Sequence, residues 1–113
     1  MKQHLYLQIA SKLRTTILRG DYAPEQQIPS IRRLAENEKC NPATVQKAMK
    51  VLEEQNLVTS CGTLGYFVIA SEQEIKELRY QKSNKLVKIL FEKLGELGFS
   101  EDEIVNLFFR KDA

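Results

Sequence analysis

Near the start of the chain an apolar residue recurs at every fourth position, the spacing that keeps side chains on one face of an α-helix. The apolar positions are Leu5, Ile9, Leu13 and Ile17. Gly20 suits the position just past the end of such a helix, because glycine adopts the left-handed conformation found there without steric cost. The pattern therefore predicts a first amphipathic helix that ends near Gly20.

Two further helices are predicted from start signals followed by apolar stripes. Ser30 is a favourable N-cap for a short helix. Asn41 can cap the next helix, and Pro42 fits its first position, where the missing N–H has no hydrogen bond to lose. The inward-facing residues would be Ile31, Leu34 and Ala35 on the short helix, and Val45, Ala48, Met49 and Leu52 on the helix of about residues 42–55.

After Asn56 the pattern changes to two short β-prone runs, LVTSC and GYFVI, around a turn at residues 62–65. Two such runs around a glycine-containing turn predict a β-hairpin. From Ser71 onward the helical spacing returns and continues to Gly98. Ser100 and Glu103 then form the S-x-x-E pattern of a capping box, which predicts the start of a last helix.

This order of elements predicts a mainly α protein with a small β-hairpin. Helix, helix-turn-helix and hairpin together are the layout of a winged helix-turn-helix, here followed by two C-terminal helices. We expect residues 1–70 to form a winged helix-turn-helix DNA-binding domain and residues 71–113 to form a two-helix dimerisation tail.

The charge of the chain is unevenly distributed. The formal net charge of +2 permits a nucleic-acid partner but does not by itself predict one. Residues 1–70 hold nine Lys and Arg against six Asp and Glu, whereas residues 71–113 hold eight against nine. A polyanion would therefore bind the first part of the chain.

The start of the third helix has the features of a DNA-reading helix. In a helix-turn-helix the second helix enters the major groove, and its first residues contact base edges. Short side chains at Pro42 and Ala43 allow a close approach, and Thr44, Gln46 and Lys47 can reach bases or phosphates. The alternative is an amphipathic helix whose polar face is only solvated, and periodicity alone leaves both open.

The start of the short second helix offers a phosphate contact. Ser30 and the first free N–H groups of that helix can bind one phosphate, and Arg32 adds positive charge. The alternative is a capped helix with exposed arginines.

Two long segments carry a resemblance to a known family. Residues 5–35, LYLQIASKLRTTILRGDYAPEQQIPSIRRLA, are similar to the pattern LYxQIAxxLRxxIxxGxxxPGxxLPSxRxLA, and the continuation CNPATVQKAMKVLEEQNLV is similar to NxxTVxKAxxxLExxGLV. Both patterns belong to the GntR family of bacterial transcription regulators. The NP-x-TV variant and the short helical tail resemble the YtrA-type branch of that family.

The resemblance implies a homodimer that binds double-stranded DNA at a palindromic operator, probing it with a recognition helix of about residues 42–55. Ser30 and Arg32 match the PSxR residues that contact DNA in the family, and Gly65 matches the last glycine of the wing turn. The candidate DNA-binding residues are Ser30, Arg32, Asn41, Thr44, Gln46, Lys47, Thr63 and Gly65. The implied function is a transcription regulator, with repression as the expected direction.

Two turns depart from the family pattern. The PG before the second helix is Pro24-Glu25 here, so this turn lacks a glycine for a positive φ. The RGxG of the wing tip begins with Gly62 here, so the arginine that would reach into the minor groove is absent. Thr63 could still bond a phosphate through its hydroxyl or N–H.

The altered wing motivates a second hypothesis. A winged-helix module that has lost specific DNA binding and binds another protein would show only weak, sequence-indifferent affinity for DNA. The set Ser30, Arg32, Asn41 and Thr44 favours the regulator.

The tail of about forty residues is too short to enclose a drug-sized ligand pocket. Its expected role is homodimerisation. A long helix with an apolar stripe has to be covered, and the alternative is that both helices fold back on their own domain. Whether a small-molecule effector acts on the protein is left open by the sequence.

Other chemistry finds little support in the sequence. Cys40 and Cys61 lack a second Cys or His at metal-ligand spacing, so neither a metal nor another cofactor is predicted. We expect Cys40 to be a buried core thiol. For Cys61, next to the wing, an exposed thiol with a redox-sensing role is a minor alternative. A single His and no catalytic arrangement argue against an enzyme. No apolar run approaches a membrane span and the start of the chain is no signal peptide, so a cytoplasmic location is expected.

Overall fold

The computed structural model describes residues 4–110, and over this range the chain forms five α-helices and one two-stranded β-hairpin. The elements are α1 (Leu5–Arg19), α2 (Ile31–Glu38), α3 (Pro42–Glu54), β1 (Val58–Ser60), β2 (Tyr66–Val68), α4 (Glu72–Glu96) and α5 (Glu101–Leu107). The predicted fold class, a winged helix-turn-helix followed by two C-terminal helices, is confirmed by this order.

The helix ends follow the signals in the sequence. Gly20 ends α1 in the left-handed conformation with φ +93°. The Ser30 hydroxyl oxygen accepts a hydrogen bond from the Arg33 N–H at 3.1 Å and so caps α2. The Asn41 Oδ1 accepts from the Ala43 N–H at 2.9 Å, with Pro42 in the first position of α3. These caps satisfy N–H groups that have no partner inside the helix.

The first three helices and the hairpin enclose one hydrophobic core. Its most deeply buried members are Ile9, Ala10, Ile17, Ile28, Val45, Ala48, Met49, Leu52, Leu57, Val58, Val68 and Ala70. Two polar contacts tie α1 to its neighbours at the surface: Lys12 Nζ lies 2.8 Å from Glu38 Oε1, and Arg14 Nε donates to Gln55 Oε1 at 2.9 Å. Helix α1 therefore holds both helices of the helix-turn-helix in place.

The wing, residues 58–68, is an antiparallel hairpin in which Val58 pairs with Val68 and Ser60 with Tyr66. A single 3-10 turn, Gly62–Leu64, joins its strands. The segment of residues 25–28 runs along the other edge of β2, where the Glu25 N–H donates to the Val68 carbonyl at 2.8 Å. The wing is thus supported from both sides at its base.

The turn that lacks the glycine of the family pattern nevertheless uses a left-handed conformation. Glu25 has φ +69°, a region that residues with a Cβ adopt at a steric cost. The hydrogen bond from Glu25 to Val68 fixes the backbone there.

The chain divides into two compact units, Met1–Leu78 and Arg79–Ala113, with the division inside α4. Ile75 is buried in the core of the first unit, and Leu78 packs against it. In the second unit Ile104 is buried, and the capping box predicted for Ser100 and Glu103 is present. The assignment of residues 1–70 and 71–113 to separate functions stays a prediction.

Candidate nucleic-acid interface

The turn between α2 and α3 brings the two helices of the helix-turn-helix into contact. Lys39 ends α2 in the left-handed conformation with φ +53°, and the Cys40 N–H donates to the Ala35 carbonyl at 3.0 Å. Cys40 is half-buried and packs against the core, which is less than the full burial expected for it. The turn is short, so the starts of α2 and α3 belong to one rigid element.

Helix α3 has one fully buried side and one polar side. Val45, Ala48, Met49 and Leu52 are all 0% exposed. Gln46 and Lys47 are exposed, and Thr44 is half-buried at the edge between the two sides. The burial of the apolar stripe fixes the rotation of the helix about its axis, and this rotation presents the predicted contact residues outward.

Asn41 keeps a hydrogen-bond donor free while it caps α3. Its Oδ1 accepts from the Ala43 N–H, and its carbonyl accepts from the Thr44 N–H at 2.9 Å. Within residues 4–110 its side-chain NH₂ group has no partner. Since an amide NH₂ can donate to a phosphate or a base acceptor, Asn41 can both start the helix and bind a ligand.

Ser30 and Arg32 lie at the start of α2. The Arg32 side chain is 89% exposed, and its Nε is 3.9 Å from the Glu36 Oε1. An exposed pair at this separation contributes about 0–1 kcal/mol, so the guanidinium can exchange Glu36 for a phosphate at little cost. An open groove of about 630 Å³ runs from Arg32 to Lys39 and Asn41.

The wing tip carries Thr63 and Gly65. Thr63 is exposed, and Gly65 has φ +102° and ψ −152°, a combination open only to glycine. The tip, residues 61–65, has no charged side chain, and Leu64 is 67% exposed. The tip can therefore contact a polyanion through N–H and hydroxyl groups but not through a cation.

The candidate residues form two groups on different elements. Six lie on the helix-turn-helix: Ser30, Arg32, Asn41, Thr44, Gln46 and Lys47. Thr63 and Gly65 lie on the wing, which joins α3 at its other end, where the Ser60 N–H donates to Glu53 Oε2 at 3.3 Å. Burial, and then the negative charge of Glu53, raise the pKa of Tyr66 at this base.

Two residues near these groups were not predicted from the sequence. Gln27 Nε2 donates to the Leu64 carbonyl and so connects the segment before α2 to the wing tip. Tyr6 on α1 lies beneath Lys47, with 5.9 Å between the lysine Nζ and the ring centroid. Both contacts join residues far apart in the chain, so no local pattern could have indicated them.

Metal-binding clusters and membrane-spanning helices are both absent from residues 4–110. It contains no group of three or more His, Cys, Asp or Glu residues that could hold a metal ion. Among its helices, none is both long enough and apolar enough to cross a membrane.

Comparison with known proteins identifies the family. Residues 5–68 match the sequence profile of the bacterial regulatory proteins of the gntR family. The chain belongs to the GntR family. It is 26% identical over 101 residues to the uncharacterized HTH-type transcriptional regulator YhcF of Bacillus subtilis (strain 168), a match covering 89% of this chain and 84% of YhcF.

A second relative bears on the branch of the family. The HTH-type transcriptional repressor YtrA of Bacillus subtilis (strain 168) is 33% identical over 64 residues, which cover 57% of this chain and 49% of YtrA. The predicted GntR family is confirmed. The similarity to YtrA agrees with the predicted YtrA-type branch, which stays a prediction. This GntR-family chain is accordingly a transcription regulator with a DNA-binding domain.

Solved structures agree with the fold. A GntR family transcriptional regulator from Listeria monocytogenes superposes with a TM-score of 0.87 at 24% identity, over 95% of this chain and 94% of that one. The DNA-binding domain of AraR in complex with operator ORE1 matches with a TM-score of 0.59 at 28% identity, over 60% of this chain and 83% of that one.

Proposed function

We propose that this GntR-family protein is a sequence-specific repressor that acts in the cytoplasm as a homodimer on a palindromic operator. Helix α3 lies in the major groove, where Gln46 and Lys47 face the bases and phosphates. Ser30 and Arg32 bind the phosphate backbone from the start of α2. Thr63 and the Gly65 backbone approach the minor groove with the wing.

The observation that carries the proposal is the exposed polar side of α3 next to the exposed start of α2. Asn41 has a free donor there, Arg32 is held by only a loose ion pair, and Lys47 has no acidic partner among the described residues. Phosphate contacts position a protein on DNA and base contacts specify the sequence. Both kinds of group are present on one rigid element.

Two relatives support repression as the direction of regulation and operator DNA as the ligand. YtrA is named a transcriptional repressor, and the DNA-binding domain of AraR was crystallised with an operator. Exposed apolar residues on the second unit support the homodimer, because a surface of that kind needs a cover. Two-fold symmetry would then place two copies of α3 about one turn of DNA apart, or a multiple of it.

The first experiment is the selection of genomic fragments by the purified protein at roughly physiological salt, followed by sequencing. The proposal expects the enrichment of one palindromic sequence, because a two-fold symmetric dimer reads two identical half-sites. Protein that is folded and dimeric but enriches no sequence would contradict specific binding.

The contact residues are tested on the enriched duplex. Arg32→Ala and Thr44→Ala should each weaken binding by about tenfold, which corresponds to a loss of about 1–2 kcal/mol for a phosphate or base contact. Lys76→Ala, which removes a positive charge from the exposed surface of α4, is the control and should leave affinity nearly unchanged. Unchanged affinity in both variants would show that this face is not the one that binds.

One observation favours a second candidate function. The exposed Leu64 on an uncharged wing tip is suited to a protein partner rather than to a phosphate. A protein-interaction module of this kind would bind DNA weakly and without sequence preference, and would form a stable complex in pull-downs. The fragment selection distinguishes the two functions directly.

A further inference from the structure

Tyr6, in the first turn of α1, lies against the proposed DNA-reading face. The Lys47 Nζ is 5.9 Å from the centroid of the Tyr6 ring. The His4 ring is stacked on Tyr6, with 6.0 Å between the ring centroids and 24° between the ring planes. Tyr6 is half-buried, whereas Lys47 and His4 are exposed. An aromatic surface from α1 thus reaches the polar side of α3.

We propose that Tyr6 is a positioning residue for DNA binding. Its ring holds the ammonium group of Lys47 at the reading face of α3 and leaves the positive charge of that group intact. His4, stacked on the same ring, restricts the ring in turn. The inference rests on the proposed function, in which Lys47 is one of the DNA-binding residues.

The aromatic ring differs from a carboxylate as an anchor for lysine. The quadrupole of the ring attracts a cation within about 6 Å of its centroid. A carboxylate in the same place would also hold the cation but would cancel the charge that a phosphate needs. Lys12 is paired in this way with Glu38, whereas Lys47 forms no ion pair with any carboxylate of residues 4–110. The charge of Lys47 therefore remains available to DNA.

Holding Lys47 in place lowers the cost of binding. Lysine has a flexible four-carbon stem, and an unrestrained side chain loses much of its rotamer freedom when it binds a phosphate. A contact that restricts the side chain beforehand removes part of that loss from the binding step. A cation–π contact at an exposed site corresponds to a change of about two- to fivefold in affinity.

The test measures DNA affinity by fluorescence anisotropy, on the duplex that the wild-type protein enriches from genomic fragments. Tyr6→Leu should lower the affinity about two- to fivefold. Tyr6→Phe should bind with nearly the affinity of the wild-type protein, because phenylalanine keeps the ring face. In the Lys47→Met background, Tyr6→Leu should cause no further loss. A loss of the same size in both backgrounds would overturn the inference, since Tyr6 would then act independently of Lys47.

The salt dependence separates positioning from direct contact. Lys47→Met should make the negative slope of log K against log salt concentration less steep by about 0.9, the amount for one phosphate contact. Tyr6→Leu should lower the affinity at every salt concentration and leave that slope unchanged, because Lys47 can still reach the phosphate. A slope lowered by Tyr6→Leu as much as by Lys47→Met would contradict a positioning role.

A measurement without DNA covers the case in which Tyr6→Leu does not fold. The ring current of Tyr6 should shift the NMR signals of the Lys47 side-chain methylene protons upfield in the wild-type protein and in Tyr6→Phe. Unshifted signals in the wild-type protein would overturn the inference. If the wild-type protein binds no duplex, the proposed function fails, whereas a wild-type protein that binds and is indifferent to Tyr6→Leu overturns only the role of Tyr6.

Discussion

Gly65 closes the wing turn with φ +102° and ψ −152°, and its carbonyl accepts a hydrogen bond from the Cys61 N–H at 2.8 Å. Residues with a Cβ almost never adopt this region of φ and ψ. The conformation brings the Leu64 carbonyl to the side chain of Gln27, so the glycine and the glutamine together fix the wing tip. The shape of the tip therefore depends on the backbone conformation of Gly65 as well as on the contact of Gln27.

Substitution at Gly65 should be costly for this reason. We expect Gly65→Ala to lower the free energy of unfolding by about 1–3 kcal/mol, measured by urea denaturation. A Cβ at this position would also lie 3.4 Å from Gln27 Nε2.

Gly95 in α4 is the matched control for this substitution. It has ordinary helical dihedrals and open space where a Cβ would be, so Gly95→Ala should raise the free energy of unfolding by about 0.5 kcal/mol. Equal stability of Gly65→Ala and the wild-type protein would show that the turn relaxes without cost.

The start of α4 is an element held by a reciprocal pair of hydrogen bonds. The Ser71 N–H donates to Glu74 Oε1 at 3.1 Å, and the Glu74 N–H donates to the Ser71 hydroxyl oxygen at 3.1 Å. The hydrogen bond from the Ser71 N–H to the carboxylate, and then the interaction of the carboxylate with the Ser71 hydroxyl group, lower the pKa of Glu74 below its ordinary value of 4.5. The charged form of Glu74 is therefore the one that stabilises the folded state.

The pH dependence of this helix start follows from that direction. The contribution of Glu74 is complete above its unfolded pKa and is lost as the pH falls through the lower, folded-state pKa. We expect Glu74→Gln to be less stable than the wild-type protein near neutral pH and equally stable well below pH 4.5, measured as thermal midpoints. Glu77→Gln on the same helix is the control. A difference that stays constant with pH would mean that the charge of Glu74 contributes nothing.

How much of each element could be predicted depends on how local its causes are. The starts of α2, α3 and α5 were predicted correctly because the capping residues Ser30, Asn41 and Ser100 act within three residues of themselves. The start of α4 after Ser71 follows from the apolar spacing alone, although the same S-x-x-E signal is present there. The pairing of Glu25 with Val68 could not be predicted, since it depends on how the hairpin folds back onto the segment before α2.

In the candidate site, too, features with local causes could be predicted and features that depend on long-range packing could not. The exposure of Gln46 and Lys47 followed from the apolar stripe of α3, and the family pattern indicated Ser30 and Arg32. The ring of Tyr6 beside Lys47 depends on the packing of α1 against α3, which no sequence pattern specifies. The functional roles of all these residues stay predictions.

On the scale of the whole molecule, the second unit leaves several large apolar side chains exposed. Leu86 and Leu97 are 55% and 74% exposed, and Ile89 and Leu90 lie between them at helical spacing. Leu86, Ile89 and Leu90 share one side of α4, and Leu97 follows directly after its end, while Gln81 and Asn84 lie on the opposite side. This apolar face fits the proposed homodimer, in which a second copy of α4 covers it.

The dimer predicts a specific effect of charge on that face. We expect Leu86→Glu combined with Leu90→Glu to convert the protein from dimer to monomer in light scattering, because two carboxylates from each copy would be buried against the partner. Affinity for the palindromic duplex should fall by at least about tenfold, since a monomer holds one half-site at a time. The helix content in circular dichroism should stay close to that of the wild-type protein.

Gln81→Glu combined with Asn84→Glu adds the same charge to the opposite side of α4 and should leave both the dimer and the affinity unchanged. The comparison separates the loss of the interface from a general repulsion between the protein and DNA, because both pairs of substitutions lower the net charge equally. If both double variants remain dimeric, another surface forms the interface. If the wild-type protein is monomeric while it binds the palindrome tightly, the two half-sites are occupied independently and the dimer is not part of the mechanism.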